Sequence, residues 1–283
     1  MDILIKLNNG VLIPKIGLGT YLMTDEDNTY EIIKKALEVG YRHIDTAMMY
    51  GNEAIIGKAI KDSKISRSEL FITTKIHYHY DPDTTISMVE ERLKNLQLEY
   101  LDLLLIHWPN HDDSINIQTW KVFEDFYKRG IIRAIGVSNF TRYQLDKLLS
   151  QVDIKPVINQ IEFHPALSQE PMQMYLNEKN IAITGYGPLM RGKIHDEPYK
   201  SIFDKIAEKH QCTRAQVVIA WVLSKGVIVI PKTATISRLA ENFQAINIIL
   251  TDEEVKAIDQ LNTGKRLYSD PSNNIYGRFK SSK

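Results

Sequence analysis

The chain has 283 residues, 43% of them hydrophobic and 25% charged, an ordinary globular balance with enough length for a large buried core. Its 35 lysines and arginines equal its 35 aspartates and glutamates, so no net field draws it to nucleic acid or to an anionic membrane. A single cysteine, Cys212, excludes an internal disulfide and a Cys-rich zinc site. A small molecule is the expected partner.

The segment MDILIKLNNGVLIPKIG carries an acid at its second position and lacks a long apolar stretch, unlike a signal peptide. The longest apolar runs, LLLI and VIVI, are too short to span a bilayer. A soluble cytoplasmic protein is expected. Residues Ile3 to Leu7 and Val11 to Ile13 flank Asn8, Asn9 and Gly10, which supply the positive φ angles of a tight β-hairpin.

After the hairpin, short apolar strands alternate with longer helical patterns. Eight strands are predicted: Ile16 to Gly19, Arg42 to Asp45, Phe71 to Lys75, Leu101 to His107, Ile132 to Ser138, Val157 to Ile161, Ala182 to Tyr186 and Val227 to Pro231. Amphipathic spacing marks the intervening helices, as in Ile86, Val89, Leu93 and Leu96 or in Trp120, Phe123 and Tyr127. Gly40 and Gly130 stand where helix C-caps belong.

Eight strands joined by crossover helices imply parallel pairing, and eight closes a barrel. The competing open doubly wound sheet would carry GxGxxG after its first strand; here Gly17 and Gly19 lead into Thr20, Tyr21 and Leu22. The expected fold is therefore an α/β (β/α)8 TIM barrel, one domain over 1–283, with an N-terminal hairpin and extra C-terminal helices. One extra helix, Ser201 to His210 or Ala215 to Lys225, precedes the eighth strand, and another runs from Asp252 to Leu261. The polar tail beyond Gly264 reads as a loop able to fold over a barrel mouth.

In such a barrel the chemistry gathers at the C-terminal strand ends. Those ends read Asp45, Lys75, His107, Ser138 with Asn139, Gln160, Tyr186 and Lys232. Tyr50 lies on the turn five residues after Asp45, so a carboxylate and a phenol can share one focus. His77 and His79 suggest a metal pair, but no carboxylate or cysteine partner has matching spacing, so no metal is expected.

The chain resembles the aldo-keto reductases over nearly its whole length. GYRHIDTAMMYGNEAIIG, KRGIIRAIGVSNF and IPKTATISRLAEN are similar to that family's three signatures, in order, while LFITTK and LLLIHWP stand where it has a catalytic lysine and histidine. The likeness is to short-tailed microbial members of the 2,5-diketogluconate reductase kind. It implies a catalytic tetrad of Asp45, Tyr50, Lys75 and His107. Tyr50 would protonate a carbonyl oxygen, Lys75 would lower the phenol's pKa, Asp45 would hold Lys75, and His107 would orient the carbonyl. It also implies cofactor contacts. Ser138, Asn139 and Gln160 would bond a nicotinamide carboxamide, Tyr186 would stack on the ring, and Gly187 and Leu189 would follow the cofactor's path. Lys232, Thr233, Arg238, Glu241 and Asn242 would surround the adenosine.

Lys232 and Arg238 together suit a 2′-phosphate, which favours NADPH over NADH. Tyr21, Met49, His77 and Trp108 would line the substrate pocket. Two departures touch the phosphate grip: GPLMRG replaces a common Ser-Pro-Leu-Gly after Tyr186, so Gly187 lacks a hydroxyl, and Thr233 replaces a serine. The expected function is NADPH-dependent reduction of aldehydes or ketones by a monomeric enzyme. The alternative is a non-catalytic NADPH-binding barrel with a regulatory or structural role.

Overall fold

The computed structural model describes residues 3–77 and 81–273. Two strands, β1 (Leu4–Lys6) and β2 (Leu12–Pro14), pair antiparallel as the expected hairpin, with Ile5 opposite Ile13. Gly10 takes φ +87° in its turn, a conformation that costs glycine little. Asn8 donates to the carbonyls of Pro156 and Asn180, and Asn9 donates to that of Arg133. Leu7 and Ile13 then pack against Phe71, Leu103, Leu105, Val157 and Ile228. The hairpin therefore plugs the N-terminal mouth of the barrel.

Eight parallel strands follow in sequence order: β3 (Leu18–Gly19), β4 (His43–Asp45), β5 (Phe71–Ile76), β6 (Leu103–Ile106), β7 (Ile135–Ser138), β8 (Ile158–Glu162), β9 (Ala182–Tyr186) and β10 (Ile228–Val229). Parallel bridges from Ile16 to Val229 and from Gly19 to Lys232 join the first strand to the last and close the ring. Several strands are shorter than their apolar runs because flanking residues such as Leu101 and Ile132 make single bridges only. The predicted barrel is the observed one.

The crossover helices are α1 (Glu26–Val39), α2 (Glu53–Asp62), α3 (Pro82–Leu96), α4 (Asp113–Lys128), α5 (Arg142–Leu149) and α6 (Glu170–Glu178). Between β9 and β10 run two helices, α7 (Tyr199–His210) and α8 (Arg214–Ser224), one serving as the crossover and the other as the expected extra helix. The chain adds α9 (Ser237–Gln244) and α10 (Asp252–Asp259). Local chemistry fixes the boundaries. Asp25 caps α1 by accepting from Asn28 N–H, and Gly40 ends it at φ +119° with its N–H on the Ala36 and Leu37 carbonyls. Capping boxes start α5, α8 and α10. No helix among the described residues is long and apolar enough to cross a membrane.

Candidate active site

At the C-terminal rim Asp45 ends β4, Lys75 lies in β5, and His107 follows β6. Register sets Asp45 beside Thr73 and Lys75 beside Leu105, so Lys75 and then His107 each stand two residues further along the next strand, and all three groups reach the C-terminal rim. Lys75 is fully buried and donates to Asp45 Oδ1 over 2.6 Å and to the Thr46 carbonyl over 2.8 Å. Tyr50 closes a short 3₁₀ turn, Met48–Tyr50, with Gly51 at φ +67° behind it. Its ring centroid stands 5.2 Å from Lys75 Nζ and 5.7 Å from the His107 ring, edge-on. All four expected tetrad residues converge.

The electrostatics differ from expectation at one point. Tyr50 was expected to have its pKa lowered by Lys75; burial instead drives the phenol well above its ordinary value, and the Asp45 carboxylate pushes the same way. The physical reason is that the phenol is taken out of water while the Lys75 charge is already paired with Asp45, so in the resting enzyme the lysine does not offset the cost of burial. Burial lowers the Lys75 pKa, opposed by Asp45. It also holds His107 well below the usual imidazole value, aided by the Lys75 charge, so the ring is neutral. His107 Nδ1 is buried without a hydrogen-bond partner among the described residues.

A cleft of about 1230 Å³ runs from this focus past Ser138, Asn139, Gln160 and Tyr186 to Lys232, Arg238 and Asn242. The expected carboxamide contacts of Ser138 and Asn139 are largely taken up internally. Ser138 Oγ donates to the Gln160 carbonyl, Asn139 Nδ2 donates to the His107 carbonyl and to Ser138 Oγ, and Tyr186 donates to Asn139 Oδ1. Gln160 Nε2 donates to Asp45 Oδ2, and its oxygen takes no hydrogen bond among the described residues. Gly187 and Leu189 line the cleft, but Thr233 does not: it is buried, and its hydroxyl folds onto Thr235 in a local turn. Glu241 lines it while accepting from the Thr213 hydroxyl at 2.7 Å.

These residues fit a phosphorylated dinucleotide. Lys232 and Arg238 are exposed cations on the lining with no ion-pair partner among the described residues, and the other end offers an amide oxygen and the Tyr186 ring.

Tyr21, Met49 and Trp108 line the mouth beside Tyr50. His77, expected there too, stands off the lining; it contacts Met49 Sδ and stacks on His107 at 5.7 Å. His79 lies outside the described residues. Asn52, the residue immediately before α2, makes no side-chain cap. It ties loops together, accepting from Thr46 Oγ1 and donating to the carbonyls of Thr20 and Met23. Tyr268 brings the tail onto the lining, as expected of a loop able to fold over a barrel mouth, but sequence reasoning named neither Tyr268 nor Arg191, because an aperiodic tail and an irregular loop carry no signal that places single residues.

A closed parallel barrel with a buried Asp-Lys pair, a phenol and a neutral histidine at its C-terminal rim defines a carbonyl-reductase architecture. The chain belongs to the Aldo/keto reductase family, whose model matches residues 15–263. It is 41% identical over 274 residues to a glyoxal reductase of Bacillus subtilis, covering 96% of this chain and 97% of that one. A methylglyoxal reductase, DkgA, of Escherichia coli is 40% identical over 272 residues, covering 94% and 96%. Among solved structures, a Gox0644 variant in complex with NADPH superposes with a TM-score of 0.89 at 36% identity, covering 96% of this chain and 98% of that one.

Proposed function

We propose that this chain reduces small aldehydes and α-dicarbonyls, glyoxal and methylglyoxal among them, to alcohols, with NADPH as the reductant. When bound, the nicotinamide supplies a hydride to the carbonyl carbon. Tyr50, protonated because burial keeps its pKa high, gives its proton to the carbonyl oxygen and becomes a phenolate. Lys75, fixed by Asp45, stabilises that phenolate as charge develops, so the ion pair acts in the transition state rather than in the resting enzyme. Neutral His107 orients the carbonyl through an N–H. Gln160, with its oxygen facing away from Asp45, would receive the carboxamide, Tyr186 would carry the ring, and Lys232 with Arg238 would hold the 2′-phosphate.

The carrying observation is the buried Lys75–Asp45 pair beneath Tyr50 at one end of a cleft whose other end holds two cations without an ion-pair partner among the described residues. The mouth, formed by Tyr21, Met49 and Trp108, is apolar with a polar floor and suits compact carbonyls. We also read the chain, over 1–283, as a single-domain cytoplasmic monomer that acts without nucleic acid or membrane; its zero formal net charge and lone half-buried cysteine support this. The test is loss of NADPH absorbance in the presence of methylglyoxal, glyoxal and simple aldehydes. Wild type should turn over and Tyr50→Phe should bind NADPH yet lose about 10³-fold in kcat. No turnover by wild type with any of them would sink the proposal. A cellular role that survives Tyr50→Phe unchanged would favour a binding protein.

A further inference from the structure

Behind Tyr186 stands a piece of the tail that the tetrad and the cation pair leave unexplained. Glu162 ends β8, is fully buried, and lies in register beside Tyr186. A buried carboxylate is costly unless it is met by donors or an opposite charge, and here the tail supplies one of each. Leu267 N–H donates to Glu162 Oε1 over 2.5 Å, and Arg266 Nη1 lies 3.5 Å from Oε2. His164 Nε2 stands 2.9 Å from Oε1. Gln169 completes the latch by donating to the Glu162 carbonyl and accepting from Arg266.

The latch carries Tyr268 to three points of the cleft wall. Its ring meets Tyr186 edge-on, centroids 5.2 Å apart at 86°. At Gly187, where φ is +67°, a Cβ would come within 2.6 Å of Tyr268 Cε2, so the tail fills the space that any other residue there would need. The Arg191 guanidinium sits 4.4 Å from the Tyr268 centroid. One side chain thereby abuts the ring-carrying tyrosine and both ends of the segment that follows it.

We infer that Tyr268 is a positioning residue: latched by Glu162 through Leu267 and Arg266, it sets the plane of Tyr186 and the path of residues 187–191, and so pre-forms the wall against which NADPH binds. The inference rests on the NADPH reading above. A wall held before binding spares the cofactor the cost of ordering it, so loosening it weakens binding. The proton donor, on the 3₁₀ turn after β4, stays in place.

The experiment is fluorescence titration of NADPH into wild type, Tyr268→Ala, Tyr268→Phe and Arg191→Ala, with melting temperatures and steady-state kinetics. Expected are a rise of about tenfold in NADPH Kd for Tyr268→Ala and about threefold for Arg191→Ala, both larger than any fall in kcat. Tyr268→Phe, which keeps the ring, should stay within about twofold of wild type. A folded Tyr268→Ala with wild-type Kd overturns the inference. If Tyr268→Ala does not fold, an Arg191→Ala Kd within about twofold of wild type overturns it instead. A wild type that fails to bind NADPH overturns the proposed function, a different outcome from a wild type that binds while both variants match it.

Discussion

Gln160 donates its side-chain N–H to Asp45 over 2.8 Å, although 115 positions separate them in the chain. Asp45 therefore serves two partners: one oxygen takes Lys75, and the other fixes which way the Gln160 amide faces. Replacing Gln160 by Glu would set two carboxylates side by side in a buried site. We expect a loss of about 2–4 kcal/mol in folding stability, read by urea denaturation. Gln160→Met, which only strands one oxygen, should cost about 1–3 kcal/mol.

Lys75→Met leaves Asp45 as a buried charge without its cation. Breaking such a pair costs about 3–5 kcal/mol. The double variant Asp45→Asn/Lys75→Met should recover part of that loss while remaining inactive, because the pair's catalytic use is the phenolate, not the fold. Denaturation of Lys75→Met, Asp45→Asn and the double variant beside wild type checks this, and full additivity of the two single changes would contradict it.

Lys232→Ala and Arg238→Ala should each raise the NADPH Kd by about tenfold or more and leave the NADH Kd nearly unchanged, since a charge-assisted hydrogen bond is worth about 1.5–3 kcal/mol. Titration of both cofactors against each variant separates the 2′-phosphate from the rest of the ligand. Equal weakening of NADH and NADPH would show that the cations serve another purpose.

The pH dependence follows from the directions of the shifts. Tyr50 is driven above its ordinary value by burial, so its donating form persists as pH rises. His107 is driven below its ordinary value by burial and the Lys75 charge, so its neutral form persists as pH falls. Neither active form is lost in between. kcat for carbonyl reduction should therefore be flat from about pH 6 to about pH 9. A fall centred near the ordinary histidine value of about 6.5 would contradict the assignment of a neutral His107.

Much of this was legible from residues close together in the chain. Alternating strands and helices gave the barrel, and the strand ends gave Asp45, Lys75 and His107, because a parallel barrel delivers every strand end to one rim. What could not be read was decided by partners distant in sequence. The Thr46 carbonyl that takes Lys75, the bond from Gln160 to Asp45, and the turn that withdraws Thr233 from the cleft all depend on backbone paths that no local pattern encodes. The Tyr50 shift was misjudged for a related reason. Proximity to Lys75 was inferred, but the depth of burial and the closeness of the Asp45 pairing were not.

The hairpin of β1 and β2 seals the end of the barrel opposite Tyr50, pinned there by Asn8 and Asn9. A tether joined ahead of Leu4 would thus leave from the far pole of the molecule. Bound to a bead or an electrode by that route, the protein would present its open face to the solution, with traffic to the cleft unobstructed.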